Sequence, residues 1–135
     1  MENLEQRRAA NALAKAVPCR RQAAEGDCLS GYPGLIINNG LIACLAFSLE
    51  KEGQHERVAD AIAFHLDDMA ICERLGGGSS NGRWLLDFLT GRARNAQNQP
   101  IPVSAYTLRR AADEALAFLS YLKRFAKFSA PAAQP

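Results

Sequence analysis

Strand-forming sequence is scarce in this chain. β-branched runs occur only at Leu35–Ile37 and Ile101–Val103, and neither is bounded like a hairpin arm, which argues against sandwiches and barrels. Histidine is limited to His55 and His65, and cysteine to Cys19, Cys28, Cys44 and Cys72 with no C-x-x-C pair. No pair among them has metal-ligand spacing, so no metal and no other cofactor is expected. Cys72 and His65 sit seven apart, about 10 Å along a helix axis, too far for a nucleophile–base hydrogen bond within one helix. A packed or partly exposed histidine is the simpler reading of His65. The glycine-rich stretch LGGGSSNGR lacks the G-K-[ST] ending of a phosphate loop and follows no strand, so it reads as a connection. Long apolar runs are missing too. The longest, around Leu35–Leu49, is interrupted by Asn38, Asn39, Gly40 and Ser48 and is too short and polar to span a bilayer. The opening MENLEQRRAANALAK is polar and charged, unlike a signal peptide. The expectation is a cytoplasmic protein with free thiols, no membrane partner and no catalytic residues.

What is present is helical. With 48% apolar and 22% charged residues over 135 positions, the composition fits one globular domain. Asn3 followed by Gln6 resembles a capping pair that opens a first helix running to about Val17, where Pro18 interrupts it. A second helix is predicted over Pro33–Glu52. It is apolar nearly all round and is therefore placed at the centre, with Gly40 marking a close helix crossing. A third spans about Glu56–Leu75, a short fourth lies near Arg83–Thr90, and the last covers Thr107–Phe128, capped by Ser104 or Thr107. The sum is an all-α bundle of about five helices in a single domain, residues 1–128. A flexible tail, SAPAAQP, follows at 129–135.

Charge is distributed unevenly. Residues 1–24 carry five cations against two acids, and residues 107–127 repeat that count, whereas residues 50–73 carry seven acids against Lys51 and Arg57. On the last helix, Leu108, Ala112, Ala115, Phe118, Leu119, Leu122, Phe125 and Ala126 recur at three- and four-residue steps, so they line one side. Arg109, Lys123, Arg124 and Lys127 fall on the other, spanning about 27 Å. Arg7, Arg8 and Lys15 form a second cluster. Only Tyr121 is interleaved with these cations, so the surface predicts nucleic-acid backbone contact without base reading. The acidic third helix would repel phosphates. Its Phe64 and Ile71, seven apart beside Asp67 and Asp68, either pack on the first helix or form a patch for a protein partner. The expectation adopted is a protein interface.

Two blocks carry a resemblance. Asn39, Gly40, Leu41, Leu45, Ala46, Phe47 and Lys51 fit the pattern N-G-L-x-x-x-L-A-F-x-x-x-K. Glu114 to Ala126 fits E-A-L-x-x-L-x-W-L-K-R-F-A, with Tyr121 where Trp is usual. Both resemble the small helical subunit of the type III-B CRISPR effector, the Cmr complex, and Arg8-Ala9 fits that family's first helix. Residues 53–103 show no such match. The resemblance implies a non-catalytic architectural subunit in antiviral defence. Its partners would be guide RNA, target RNA, the large and other Cmr subunits, and further copies of itself stacked as a short filament. Lys51, in the first block, joins the RNA-binding set. The alternative is a small helical nucleic-acid-binding or regulatory protein unrelated to CRISPR. A helix-turn-helix is disfavoured within it, because the connection Gly91–Val103 is too long for the tight turn.

Overall fold

The chain enters its first helix through a reciprocal cap. Asn3 Oδ1 accepts from the Gln6 N–H at 2.8 Å, and Gln6 Oε1 accepts from the Asn3 N–H at 2.9 Å. The computed structural model describes residues 3–22, 27–74 and 79–128. It contains six helices in order: α1 Leu4–Lys15, α2 Tyr32–Asn39, α3 Leu41–Lys51, α4 Gly53–Asp68, α5 Gly82–Leu89 and α6 Ala105–Phe128. Among the described residues no strand forms, only one isolated bridge between Arg94 and Pro100. The all-α expectation holds. The predicted tail at 129–135 and residues 75–78, at the start of the glycine loop, lie outside the described residues.

The expected second helix is two helices. Gly40 adopts φ 88° and ψ 158°, which ends α2 and starts α3 in a different direction. This is a backbone conformation that a side chain would resist. A Cβ built on Gly40 meets nothing within 4 Å, so the glycine serves a break and not a crossing. The close crossing is at Gly82, where a Cβ would stand 2.9 Å from Ala59 Cβ, bringing α5 against α4. Splitting the apolar run also changes what it buries. Each short helix turns one side inward, and Ile37 and Phe47 remain 69% and 39% exposed.

The centre belongs to α4. It buries Val58, Ala59, Ala61, Ile62, Ala63 and Leu66, and packs on α1, α3, α5 and α6. α4 stops at Asp68, well short of the predicted Leu75. The Ala70 N–H bonds to the Asp67 carbonyl and the Ile71 N–H to the Leu66 carbonyl, both at 3.0 Å. This is a Schellman ending, with Ala70 at φ 58° and Ile71 folded inward. α5 ends the same way on Gly91 at φ 79°, with the Arg92 N–H on the Asp87 carbonyl at 2.8 Å. α6 is capped by Ser104, whose Oγ accepts from the Thr107 N–H at 3.1 Å. Ala111, Ala115, Phe118, Leu119, Leu122 and Ala126 are its buried stripe, against α1, α4 and α2.

Candidate nucleic-acid interface

The cations expected to meet RNA divide into two kinds once folded. Arg7 and Arg8 are occupied inside the molecule. Arg8 Nε and Nη2 grip Glu114 of α6 at 2.7 and 2.8 Å, a bidentate pair, with the carboxylate 8% exposed. The same Glu114 Oε2 meets His65 Nε2 of α4 at 2.9 Å. Asn11 Nδ2 reaches His65 Nδ1 and Asp68 Oδ2, both at 3.0 Å. Arg7 closes the chain, donating to the Asp68 carboxylate at 3.0 Å and to its backbone carbonyl. An amide nitrogen only donates, so His65 Nδ1 accepts and Nε2 carries the proton toward Glu114. Burial pushes the His65 imidazole below its ordinary value of 6.5, against the opposing pull of Glu114. Burial alone would raise the Glu114 carboxyl. The hydrogen bonds from Arg8 and His65 outweigh it and hold that group below its ordinary value. His65 is fully buried and stacks on Phe118 at 4.4 Å between ring centres, so of the packed and partly exposed readings the packed one holds. The network fastens α1 to α4 and α6.

Lys15 and Lys51 stand apart from it. Lys15 Nζ lies 4.3 Å above the Phe64 ring, and Lys51 Nζ lies 5.9 Å from that of Phe47. The α6 cations are different. Arg109, Lys123, Arg124 and Lys127 are exposed, and among the described residues none of them forms an ion pair. They form two groups. Arg109 and Arg110 border a small cavity of about 290 Å³ that Asp113 and Glu114 share. Lys123, Arg124 and Lys127 occupy the last two turns of α6, where the carbonyl end of the helix also favours positive charge. Lys123 and Lys127 face two clefts at once. One, about 760 Å³, lies toward α2, and the other, about 670 Å³, lies toward Val17, Pro18 and Arg21.

Of the four residues expected at a protein interface, Ile71 is buried, Phe64 and Asp67 are partly covered, and Asp68 stays exposed. Phe64 is half-buried beneath Lys15, and Ile71 is 8% exposed. Because α4 ends at Asp68, Ile71 does not share a helix face with Phe64. Asp67 accepts from the Arg74 N–H at 2.9 Å and from the Ser80 hydroxyl, and Asp68 holds Asn11 and Arg7. Asp60 accepts from the Gly82 N–H at 2.7 Å. Asp60 and Asp67 therefore fasten connections, and Asp68 fastens α1 while staying exposed.

Two residues passed over in the sequence hold the approach to this surface. Gln54, buried at the start of α4, donates to the Cys19 carbonyl and accepts from the Cys28 N–H, both at 2.9 Å. Arg57 donates to the Pro18 and Arg20 carbonyls at 2.6 and 3.2 Å. Nothing in the sequence marks either one, because their partners lie on a connection more than twenty residues away. The four cysteines are free thiols. Burial pushes Cys19 and Cys72 up to about 12, so neither is a nucleophile near neutrality. No group of three His, Cys, Asp or Glu among the described residues is arranged to hold a metal ion. No helix among them is long and apolar enough to cross a membrane.

Residues 4–128 match the model of a family described as CRISPR-associated protein (Cas_Cmr5). No curated protein and no solved structure shows significant similarity to the chain. The match runs through all six helices and includes residues 53–103, where the two sequence blocks carried no resemblance. It removes the alternative of a helical regulatory protein unrelated to CRISPR. With nearly the whole described fold inside the matched stretch, the chain belongs to the Cas_Cmr5 family, the small subunits of the type III-B CRISPR (Cmr) complex.

Proposed function

We propose that this chain is a non-catalytic architectural subunit that contacts the RNA of its effector complex through the end of α6. The observation that carries this reading is the exposed trio Lys123, Arg124 and Lys127, which no carboxylate neutralises among the described residues. Three cations within two turns of one helix suit successive phosphates of a strand, and such contacts carry no sequence preference. Arg109 extends the track. Arg7 and Arg8 contribute to the local potential while holding α1 in place. In the assembled complex the RNA is the guide, the target or both, in a groove that stacked copies line.

For single-stranded RNA, each phosphate that the protein ceases to neutralise lowers the slope of log affinity against log salt by about 0.7. The Lys123→Ala, Arg124→Ala, Lys127→Ala variant is expected to lower that slope by about 2 while keeping its thermal melt. A variant that retains both fold and full salt-dependent affinity refutes the reading.

Contacts with neighbouring copies or with the large subunit fall to a different surface from the one read in the sequence. Leu13 and, one turn on, Val17 are each 55% exposed. Leu13→Ser with Val17→Ser, which adds no charge to the cleft that Val17 shares with Lys123 and Lys127, is expected to leave RNA binding by the free subunit intact and to lower the number of copies in the assembled complex. Native mass spectrometry reads that number, and an unchanged count places the stacking surface elsewhere.

A further inference from the structure

We infer that the cleft between α2 and the C-terminal half of α6 is a nucleotide-binding cleft, which takes an unpaired base of a single-stranded RNA while the lysines and arginine at its rim take the flanking phosphates. The inference rests on the RNA reading above and names the form of RNA that this site prefers.

The cleft measures about 760 Å³. Pro33 and Ile37 form its α2 side and Leu116 part of its α6 side, and Lys123, Arg124 and Lys127 stand along it. Ile37 is the anomaly. It is 69% exposed, the highest among the large apolar side chains of the described residues, although covering such a side chain is favourable. The break at Gly40 leaves α2 burying only Tyr32 and Ile36, so Ile37 is turned out toward the cations of α6.

Charge separates this cleft from the other cationic depressions. Four further cavities each bring a carboxylate among their cations: Asp113 and Glu114 beside Arg109, Glu73 and Asp87 beside Arg83, Asp27 beside Arg21, and Glu52 beside Lys51. No acid lines the α2–α6 cleft. A purely cationic rim over an apolar floor matches a ligand with anionic and apolar parts close together. A nucleotide is such a ligand, with phosphate on one side of the sugar and a base on the other. Lys123 and Lys127 lie one turn apart, with Cβ atoms about 5–6 Å from each other, so consecutive phosphates of one strand can follow them. In a duplex the base faces are stacked on each other and only the backbone and polar base edges are presented, so the apolar floor would add nothing. The site should therefore distinguish single strands from duplexes.

The test measures fluorescence anisotropy of the full chain with a labelled oligouridine and with the same strand annealed to oligoadenosine, across a salt series. Ile37→Ser removes no charge and changes an exposed position, and its thermal melt checks the fold. The expected result is an affinity for the single strand weakened about fivefold, an unchanged salt slope and an unchanged affinity for the duplex. An Ile37→Ser variant that binds both forms as the parent does, or weakens equally for both, overturns the cleft while the α6 cation variant still reports on the backbone reading. If that cation variant keeps its full salt-dependent affinity as well, both readings fall together. If Ile37→Ser leaves RNA affinity intact but costs the reconstituted complex a neighbouring subunit, the cleft holds an acidic apolar protein segment, and the nucleotide assignment is overturned.

Discussion

Ala70 shows what a single residue contributes here. α4 and α5 end in the same Schellman geometry, but α5 places Gly91 in the left-handed position and α4 places Ala70, at φ 58°. A Cβ in that region costs roughly 1 kcal/mol, so Ala70→Gly is expected to stabilise the protein by about that amount, read as a raised denaturant midpoint at unchanged m-value. The same residue explains why the end of α4 was not legible. Alanine is a strong helix former and carries no stop signal, so periodicity ran on to Leu75 and set Ile71 on a helix face it does not occupy. Gly40 was misread for the opposite reason. A glycine in an apolar run fits either a crossing or a break, and only the backbone angle decides. Glutamine and arginine at 54 and 57 gave no warning, since their partners are carbonyls of a distant connection.

At the scale of elements, α1 is held to the rest by polar contacts as much as by its thin apolar side. Arg8–Glu114–His65–Asn11–Asp68–Arg7 joins three helices through residues up to 106 positions apart. No local pattern reveals such pairs, which is why Arg7 and Arg8 read as free surface cations. What is local was readable: the Asn3–Gln6 cap, the Ser104 cap and most of the α6 stripe. The network gives α1 a pH dependence. His65 is held below its ordinary 6.5, so the unfolded chain takes up this proton before the folded one does. Stability is therefore complete above about pH 6.5 and declines as pH falls below it. Glu114 and Asp68, also held low, act in the same direction below their ordinary values of 4.5 and 3.8. Asp68 owes its shift first to the Asn11 amide and then to Arg7. Between pH 7 and 5 one histidine can set a slope of at most about 1.4 kcal/mol per pH unit. Denaturant titrations should show stability falling over that window in the parent. His65→Gln should be less stable throughout and nearly flat there. An equal slope in both proteins would place the titrating group elsewhere.

As a whole, the molecule uses one end of its cationic surface for its own assembly and leaves the other available. Arg7 and Arg8 meet carboxylates within the fold, while Lys123, Arg124 and Lys127 meet none among the described residues. Net charge does not distinguish these groups, and neither does the heptad-like spacing on α6. The distinction comes from which acids α4 and α6 bring near α1. Family membership makes the chain a subunit of the Cmr complex, and the α6 end is the surface through which RNA contact is proposed. Ultraviolet cross-linking of a reconstituted complex carrying guide and target RNA, followed by mass spectrometry of this subunit, tests that assignment most directly. The account predicts RNA adducts on the α6 peptides that contain Lys123, Arg124 and Lys127, absent from the triple alanine variant while the subunit stays incorporated. Adducts confined to α1 or α4, or α6 adducts unchanged by the triple substitution, would contradict it.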